Sequence, residues 1–171
     1  IGVKSPYKKN TLNIDRSSVF FGRLSQNGKW LGYVKESAFE PPTAYIVDNS
    51  FSNNKKIFQI NHKVDLSHIK ESEYVWNSTD GLEIHGILNE PMHKQPPYPA
   101  VIIPHGGPTD SSYYQYLGTY YDHGVPFEIG ELVRNGYLVL RPNVRGSIGY
   151  GPDFRTANFR DLGGQDWIDV Q

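Results

Sequence analysis

Residues 101–110, with the sequence VIIPHGGPTD, join an apolar run to a glycine-rich loop that begins at His105. Gly106 and Gly107 have no Cβ, so their backbone N–H groups can approach a substrate closely, and Pro108 stiffens the exit of the loop. N–H groups placed in this way can stabilise the oxyanion that develops during acyl transfer, and each contributes roughly 3 kcal/mol to the transition state. A tight turn without a catalytic role could use the same residues, so both interpretations stay open on this segment alone.

A second glycine-rich loop, residues 141–151 with the sequence RPNVRGSIGYG, follows a second apolar run at 137–141. Arg145 could bind a carboxylate or carbonyl group of a substrate, or it could bridge neighbouring loops with its five N–H donors. The glycine spacing matches neither a dinucleotide-binding fingerprint nor a phosphate-binding loop with lysine, which disfavours a nucleotide site.

The sequence offers no nucleophile elbow and no metal-binding motif. An elbow has the pattern G-x-S-x-G, but the residue two positions before Ser147 is Arg145, and no other serine of the chain fits the pattern. The histidines show none of the spacings of a zinc site, and cysteine is absent. We therefore expect no metal and no cofactor.

The composition excludes several classes of function. A formal net charge of −1 gives no electrostatic basis for binding nucleic acid or an anionic membrane. The longest apolar runs, such as 100–104, are far shorter than the roughly 18 residues that a membrane-spanning helix requires. We expect a soluble globular protein without a membrane span. The composition does not fix the compartment; we expect the cytoplasm, and a secreted or periplasmic location is the alternative.

The first 72 residues are typical of an antiparallel sheet. Short strand-like segments are separated by polar turns, of which residues 25–28 carry the Asn-Gly signal of a hairpin. The pair Pro41 and Pro42 predicts a break in the chain. The predicted strands are 17–22, 30–35, 44–48 and 56–60. They would form about one four-stranded blade of a β-propeller, or part of a sandwich, and because a lone blade leaves its faces and edges open, we expect further sequence upstream.

Residues 73–171 predict a β-α-β unit within an α/β sheet. The run 100–104 lacks polar alternation and should be a strand buried on both faces. Gly136 should end a helix that precedes it in the chain. The predicted strands are 74–77, 82–89, 100–104 and 137–141, and the predicted helix is 127–135. We expect the tyrosines between 113 and 121 to pack an insertion against a neighbouring domain, and the alternative is that they line a pocket.

Four segments in one order carry a family resemblance. They are WNSTDGLEIHGILNEP, PAVIIPHGGPT, NGYLVLRPNVRGSIGYGPDF and LGGQDWIDVQ. Together they resemble the prolyl oligopeptidase family of serine peptidases, and most of all its acylaminoacyl-peptidase and dipeptidyl-peptidase-like branches. The resemblance covers residues 72–171 strongly and residues 17–70 more weakly.

The resemblance implies a fold of the α/β class, in which residues 73–171 form the N-terminal part of an α/β-hydrolase catalytic domain. Residues 1–72 would be the C-terminal blade or blades of a β-propeller domain. It also implies that a short peptide is the substrate, cleaved near its N-terminus, with no nucleic acid, membrane or cofactor involved, and that the full-length protein could form a homo-oligomer.

The resemblance assigns roles to both loops. The loop of His105, Gly106 and Gly107 would provide the oxyanion donor, and the loop of Arg145, Gly146 and Ser147 would be structural and pocket-forming. Asp166 and Asp169 would begin the helix that leads to the strand before the nucleophile. In this family the catalytic Ser, Asp and His lie farther along the chain, so we expect none of the triad here and no peptidase activity from these residues alone.

Two other functions remain open from the sequence. A carboxylesterase or lipase uses the same kind of His-Gly-Gly loop, although the propeller-like first part and the loop from 145 to 151 argue against it. A non-catalytic relative that binds peptides would show the same segments without a triad.

Overall fold

The computed structural model describes residues 16–59, 64–107, 109–118, 121–122, 125–126 and 128–171. Two four-stranded sheets make up most of this part of the chain. Their strands overlap the segments that the sequence predicts to be strands. Four parts of the predictions lie outside the described residues. They are Pro108, residue 60 at the end of a strand, residues 119–120, and residue 127 at the start of the helix.

The first sheet is an antiparallel meander in which each strand pairs with the next along the chain. Its strands are β1 (Ser18–Leu24), β2 (Trp30–Ser37), β3 (Glu40–Asp48) and β4 (Asn54–Gln59). Gly28 has a φ of +67° in the predicted turn between β1 and β2, where its N–H donates to Ser25 O at 2.9 Å. The sequence thus predicted the number and order of these strands.

The prediction that Pro41 and Pro42 break the chain is wrong, because both lie within β3. The register between β2 and β3 shifts between Lys35 and Ser37, opposite these prolines. Pairing of β3 with β4 starts only at Thr43, so neither proline has to donate a hydrogen bond to β4. A proline is tolerated in a strand at such an irregularity because the missing N–H costs no ladder hydrogen bond there.

The second sheet has the strand order β5-β6-β10-β7, in which β7 is parallel to β10 and the other pairs are antiparallel. Its strands are β5 (Ile69–Asn77), β6 (Glu83–Pro91), β7 (Ala100–Ile102) and β10 (Leu138–Asn143). The short strands β8 (Tyr121–Asp122) and β9 (Val125–Pro126) and the helix α1 (Ile129–Arg134) lie between β7 and β10 in the chain. The predicted β-α-β unit is therefore confirmed, and Gly136, with a φ of +90°, follows the end of its helix.

The prediction that the strand at 100–104 is buried on both faces is wrong. Within the described residues β7 pairs with β10 alone, so it lies at an edge of the sheet. Ala100 is exposed and Ile102 retains 43% of its accessible surface. A continuous apolar run does not distinguish an interior parallel strand from an edge strand whose far side is open, since the residue pattern is the same.

One hydrophobic core joins α1 and the second sheet to the first sheet. Its buried members are Ala38, Leu66, Ile69, Ile103, Tyr116, Leu117, Ile129, Val133 and Val139. Tyr116 is 1% exposed, its backbone N–H donates to Glu36 Oε2 at 3.0 Å, and its hydroxyl accepts from Val64 N at 2.8 Å. Tyr116 thus packs against the first sheet, Tyr113 contacts Phe20 of β1 and also borders a cavity, and Tyr114 borders the same cavity.

Two short helices complete the described structure: α2 (Pro152–Thr156) and α3 (Gln165–Ile168). Asp166 lies in the first turn of α3, as expected, but Asp169 is its C-terminal cap residue. Among the described residues, no helix is long and apolar enough to cross a membrane.

Candidate active-site loops

The two glycine-rich loops meet beyond the carboxyl ends of β7 and β10. His105 Nε2 lies 2.8 Å from Ser147 Oγ, although 42 residues separate them in the chain. A backbone hydrogen bond from Ile148 N to Asp110 O, at 2.9 Å, joins the same two loops a few residues farther on. Because β7 and β10 are parallel neighbours, their following loops share one edge of the sheet, which is where ligands bind in α/β sheets.

The contact between His105 and Ser147 fixes the side chains of both residues. The Ser147 hydroxyl donates to Val144 O at 2.6 Å, and Ser147 Oγ lies 2.8 Å from His105 Nε2. The other ring nitrogen, His105 Nδ1, lies 2.7 Å from Gly106 O. Ser147 is fully buried, so it is a structural link between the loops.

The backbone N–H groups of Gly106 and Gly107 are available as donors. Within the described part of the chain, neither donates a hydrogen bond to another protein group. Gly107 has a φ of +134°, and a Cβ there would lie 2.7 Å from Thr109 N. This conformation therefore requires glycine. Gly106 is half-buried and Gly107 is exposed, and a loop without side chains that carries two unengaged donors has the composition of an oxyanion site.

Arg145 bridges loops and does not reach toward a substrate. Its Nε and Nη2 donate to Asp169 at 2.7–3.1 Å, and its Nη1 and Nη2 donate to Asp80 at 2.8 and 3.0 Å. The hydrogen bonds to Asp169, and then those to Asp80, hold the pKa of the guanidinium above its ordinary value. The hydrogen bond from Arg145 lowers the pKa of Asp80 to about 2. Of the two sequence interpretations of Arg145, the structure supports the bridging one.

Asp169 is the residue that sequence reasoning missed as the partner of Arg145. Its carboxylate is fully buried and also accepts from the backbone N–H of Arg145 at 2.9 Å, and its carbonyl oxygen accepts from Trp76 Nε1 at 2.8 Å. The sequence did carry a signal that could have identified this partner. An arginine that is buried in a loop needs carboxylate partners, and Asp80 and Asp169 supply them.

Gly146 completes the second loop by close packing. Its φ is +99°, and a Cβ there would lie 2.1 Å from Asn158 Nδ2. Val144, one residue before the predicted loop of Arg145, Gly146 and Ser147, lines a largely apolar cavity of about 420 Å³ together with His105 and Trp167. The pocket-forming role of residues 145–147 themselves stays a prediction.

No family model matches this sequence. The uncharacterized peptidase YuxL of Bacillus subtilis is 36% identical over 100 residues, which are 57% of this chain and 14% of that protein. Dipeptidyl-peptidase 5 of Schizosaccharomyces pombe is 28% identical over 144 residues, which are 83% of this chain and 20% of that protein. These findings support a peptidase of the prolyl oligopeptidase family.

The solved structures show what the fold of this chain is similar to. The acylaminoacyl peptidase of Pyrococcus horikoshii superposes with a TM-score of 0.72 at 23% identity, over 94% of this chain and 24% of that one. Both sheets described above therefore have counterparts in one known fold. The chain spans 14% and 20% of the length of the two curated relatives it matches.

Proposed function

We propose that this chain is part of a serine peptidase that hydrolyses short peptides by acyl transfer, and that Gly106 and Gly107 supply its oxyanion donors. The observation that carries the proposal is the pair of unengaged glycine N–H groups beyond the carboxyl end of β7, held in place by the contact between His105 and Ser147. Attack on a peptide carbonyl turns its oxygen into an oxyanion, and N–H donors fixed in advance lower the energy of that state without reorganising.

The domain division is part of the same proposal. Residues 73–171 would form the N-terminal part of an α/β-hydrolase domain, and residues 1–72 would end a β-propeller. The parallel pair β7 and β10 with an intervening helix supports the first assignment, and the four-stranded antiparallel meander supports the second.

The nucleophile would come from outside these 171 residues. No serine in the sequence has the elbow pattern, and Ser147 is buried with its hydroxyl donating to Val144 O. Donors without a nucleophile do not give acyl transfer by the triad mechanism. These residues alone should therefore hydrolyse no peptide and react with no fluorophosphonate probe.

The position of the first sheet favours a peptidase over a carboxylesterase that uses the same loop. Phe20 in β1 contacts Tyr113 edge-on with ring centroids 5.5 Å apart, and Leu117 N donates to Ala38 O at 3.0 Å. The segment that leaves the oxyanion loop thus packs against Phe20 of the first sheet and the turn after β2. We infer that a sheet held this close to the loop would limit the length of the substrate, and such a limit matters for peptides more than for small acyl esters.

The test compares two substrates and two glycine variants in the longest natural protein that contains this sequence. We expect hydrolysis of peptide arylamides to exceed that of short acyl esters. Gly107→Ala should lower kcat by about 100-fold or more, because the added Cβ would displace a backbone N–H that donates to the oxyanion. Gly28→Ala is the control, because it also has a positive φ but lies in the β1–β2 turn with open space around a Cβ.

Four results would contradict the proposal. Faster turnover of esters than of peptides would favour the carboxylesterase. Full activity in Gly107→Ala would remove the oxyanion role, and a natural protein that binds peptides without hydrolysing them would be the non-catalytic relative. Fluorophosphonate labelling of the 171-residue chain would show that the nucleophile lies within it.

A further inference from the structure

A second cavity, of about 290 Å³, opens between the strands β5 and β6 and the loops that follow β7 and β10. Its wall includes Glu73, Ser112, Tyr114, Asn143 and Tyr150. Ligand sites commonly start at around 300 Å³, so this space fits one side chain or one small amine. It is separate from the apolar cavity beside His105, and the proposed peptidase chemistry does not use it.

The wall of the cavity is held in place by one buried side chain. Asn143 is 3% exposed. Its Oδ1 accepts from Ser112 N at 2.6 Å, and its Nδ2 donates to Ser112 O at 3.0 Å and to the hydroxyl oxygen of Tyr150 at 2.9 Å. The loops after β7 and β10 are therefore fixed to each other through Asn143, so the cavity exists before any ligand arrives, and little conformational entropy is lost on binding.

The charge at the cavity is negative. Glu73 is the one charged residue among the described residues of its wall, and its side chain is 55% exposed. Its Oε1 lies 3.0 Å from His85 Nδ1, and Glu83 Oε1 lies 3.2 Å from His85 Nε2. Even with a protonated imidazole, these three side chains carry a net charge of −1.

The ion pair beneath the cavity does not cancel this charge. Arg141 and Glu71 are both buried and neutralise each other at 3.0 Å. Burial raises the pKa of Tyr114, and the nearby carboxylate of Glu73 raises it further, ahead of smaller opposite effects from Arg16. Of the charged groups that act on the pKa of Tyr114, Glu73 has the largest effect, and Glu71, Arg16 and Arg141 have smaller effects of both signs.

Aromatic rings complete the wall. Tyr113 and Tyr114 face the cavity from the loop after β7, and Tyr150 faces it from the loop after β10. The ring of Tyr150 is fixed between His85, with centroids 4.8 Å apart, and Phe154, with centroids 5.1 Å apart. The faces of tyrosine rings attract cations within about 6 Å of the centroid. Because the ring of Tyr150 is packed by these neighbours, it shapes the wall, and Tyr114 with the carboxylate of Glu73 forms the site for an organic cation.

We propose that this cavity binds a guanidinium or alkylammonium group of a peptide, with Glu73 as its counter-ion, Tyr114 beside it, and Tyr113 and Tyr150 completing the wall. The cation could be a basic side chain or the N-terminal ammonium, since both present the same charge to the carboxylate. The proposal concerns binding and stands without hydrolysis. It adds a site that recognises positive charge, and the same two loops that form the candidate oxyanion site contribute to it.

The test is ligand-observed saturation-transfer NMR on the whole protein with three probes. Acetyl-arginine amide carries only a side-chain cation, norleucine amide carries only an N-terminal ammonium, and acetyl-norleucine amide carries no charge. We expect millimolar binding of one or both cations and none of the neutral probe. Binding of the first alone assigns the site to a side chain, and binding of the second alone assigns it to the peptide N-terminus.

Two matched variants locate the site. Glu73→Gln and Glu83→Gln remove the same charge from the two neighbours of His85, but only Glu73 lines the cavity. We expect Glu73→Gln to weaken cation binding by about fivefold, as for an exposed ion pair, and Glu83→Gln by less than about twofold. Both side chains are more than half exposed, so both variants should fold.

Failure would take one of three forms. If neither cation binds, or if the neutral probe binds as well as the cations, the proposal is wrong. Equal weakening by the two variants would assign the effect to the general field of the protein and not to the cavity. A protein that binds cations but hydrolyses no peptide would retain this inference and lose the proposed function, and the reverse result would do the opposite.

Discussion

The substitution Asp169→Asn should destabilise the fold strongly, because it breaks the buried ion pair that joins α3 to the loop after β10. Asp169 accepts from the backbone N, Nε and Nη2 of Arg145. The replacement removes the charge and turns an amide NH₂ toward a guanidinium that also only donates. Loss of one partner of a buried pair costs about 3–5 kcal/mol, and since Asp80 still pairs with Arg145 we expect the lower end, about 3 kcal/mol.

Thermal unfolding measures this effect directly. For a chain of this length each kcal/mol lowers Tm by about 2–4 °C, so the expected decrease is about 6–12 °C. Asp166→Asn is the matched control, since Asp166 lies on the same helix and its Oδ1 accepts from the adjacent Trp167 amide at 2.9 Å. A decrease in Tm for Asp169→Asn no larger than that of the control would refute the structural role assigned to Arg145.

Two further predictions concern the same loop. Gly146→Ala should lower Tm more than Gly149→Ala, because both have a φ near +100° but only a Cβ on Gly146 meets Asn158, at 2.1 Å; equal decreases in Tm would show that backbone strain alone matters. The pKa of Asp80 is lowered from 3.8 to about 2, chiefly by Arg145, so its ionised form stabilises the fold above about pH 4 and this contribution is lost as the pH falls toward 2. Asp80→Asn should therefore reduce the decrease in Tm between neutral and acidic pH, and an unchanged pH dependence would count against the ion pair.

Local patterns predicted most of the strands because each one rests on short-range chemistry. The Asn-Gly turn before β2 and the glycine that ends α1 both need a positive φ, which the sequence states directly. The errors arise where pairing decides the outcome. Pro41 and Pro42 fit into β3 because β2 shifts its register opposite them, and the exposure of Ile102 depends on which segments pack on the faces of β7. Neither fact is local in sequence.

The candidate site divides in the same way. The two glycine loops could be found from the sequence because bare backbone is itself a signal. The partners that position them could not, since Arg145 and Asp80 are 65 residues apart and His105 and Ser147 are 42 apart. A single sequence does not report such pairs, because many carboxylates could serve a given arginine equally well until the fold selects one.

The geometry separates residues that hold the site from groups that would act in it. Arg145 and Asn143 use their polar groups on other parts of the protein, whereas the N–H groups of Gly106 and Gly107 have no protein partner among the described residues. Substitutions at residues that hold the site, such as Arg145 and Asn143, should lower stability and activity together, because they move the loops. A substitution at Gly107 should lower activity beyond what its effect on Tm explains, because it alters a donor and not a support. That difference in the ratio of lost activity to lost stability distinguishes an oxyanion loop from a tight turn, the two interpretations with which this glycine-rich segment began.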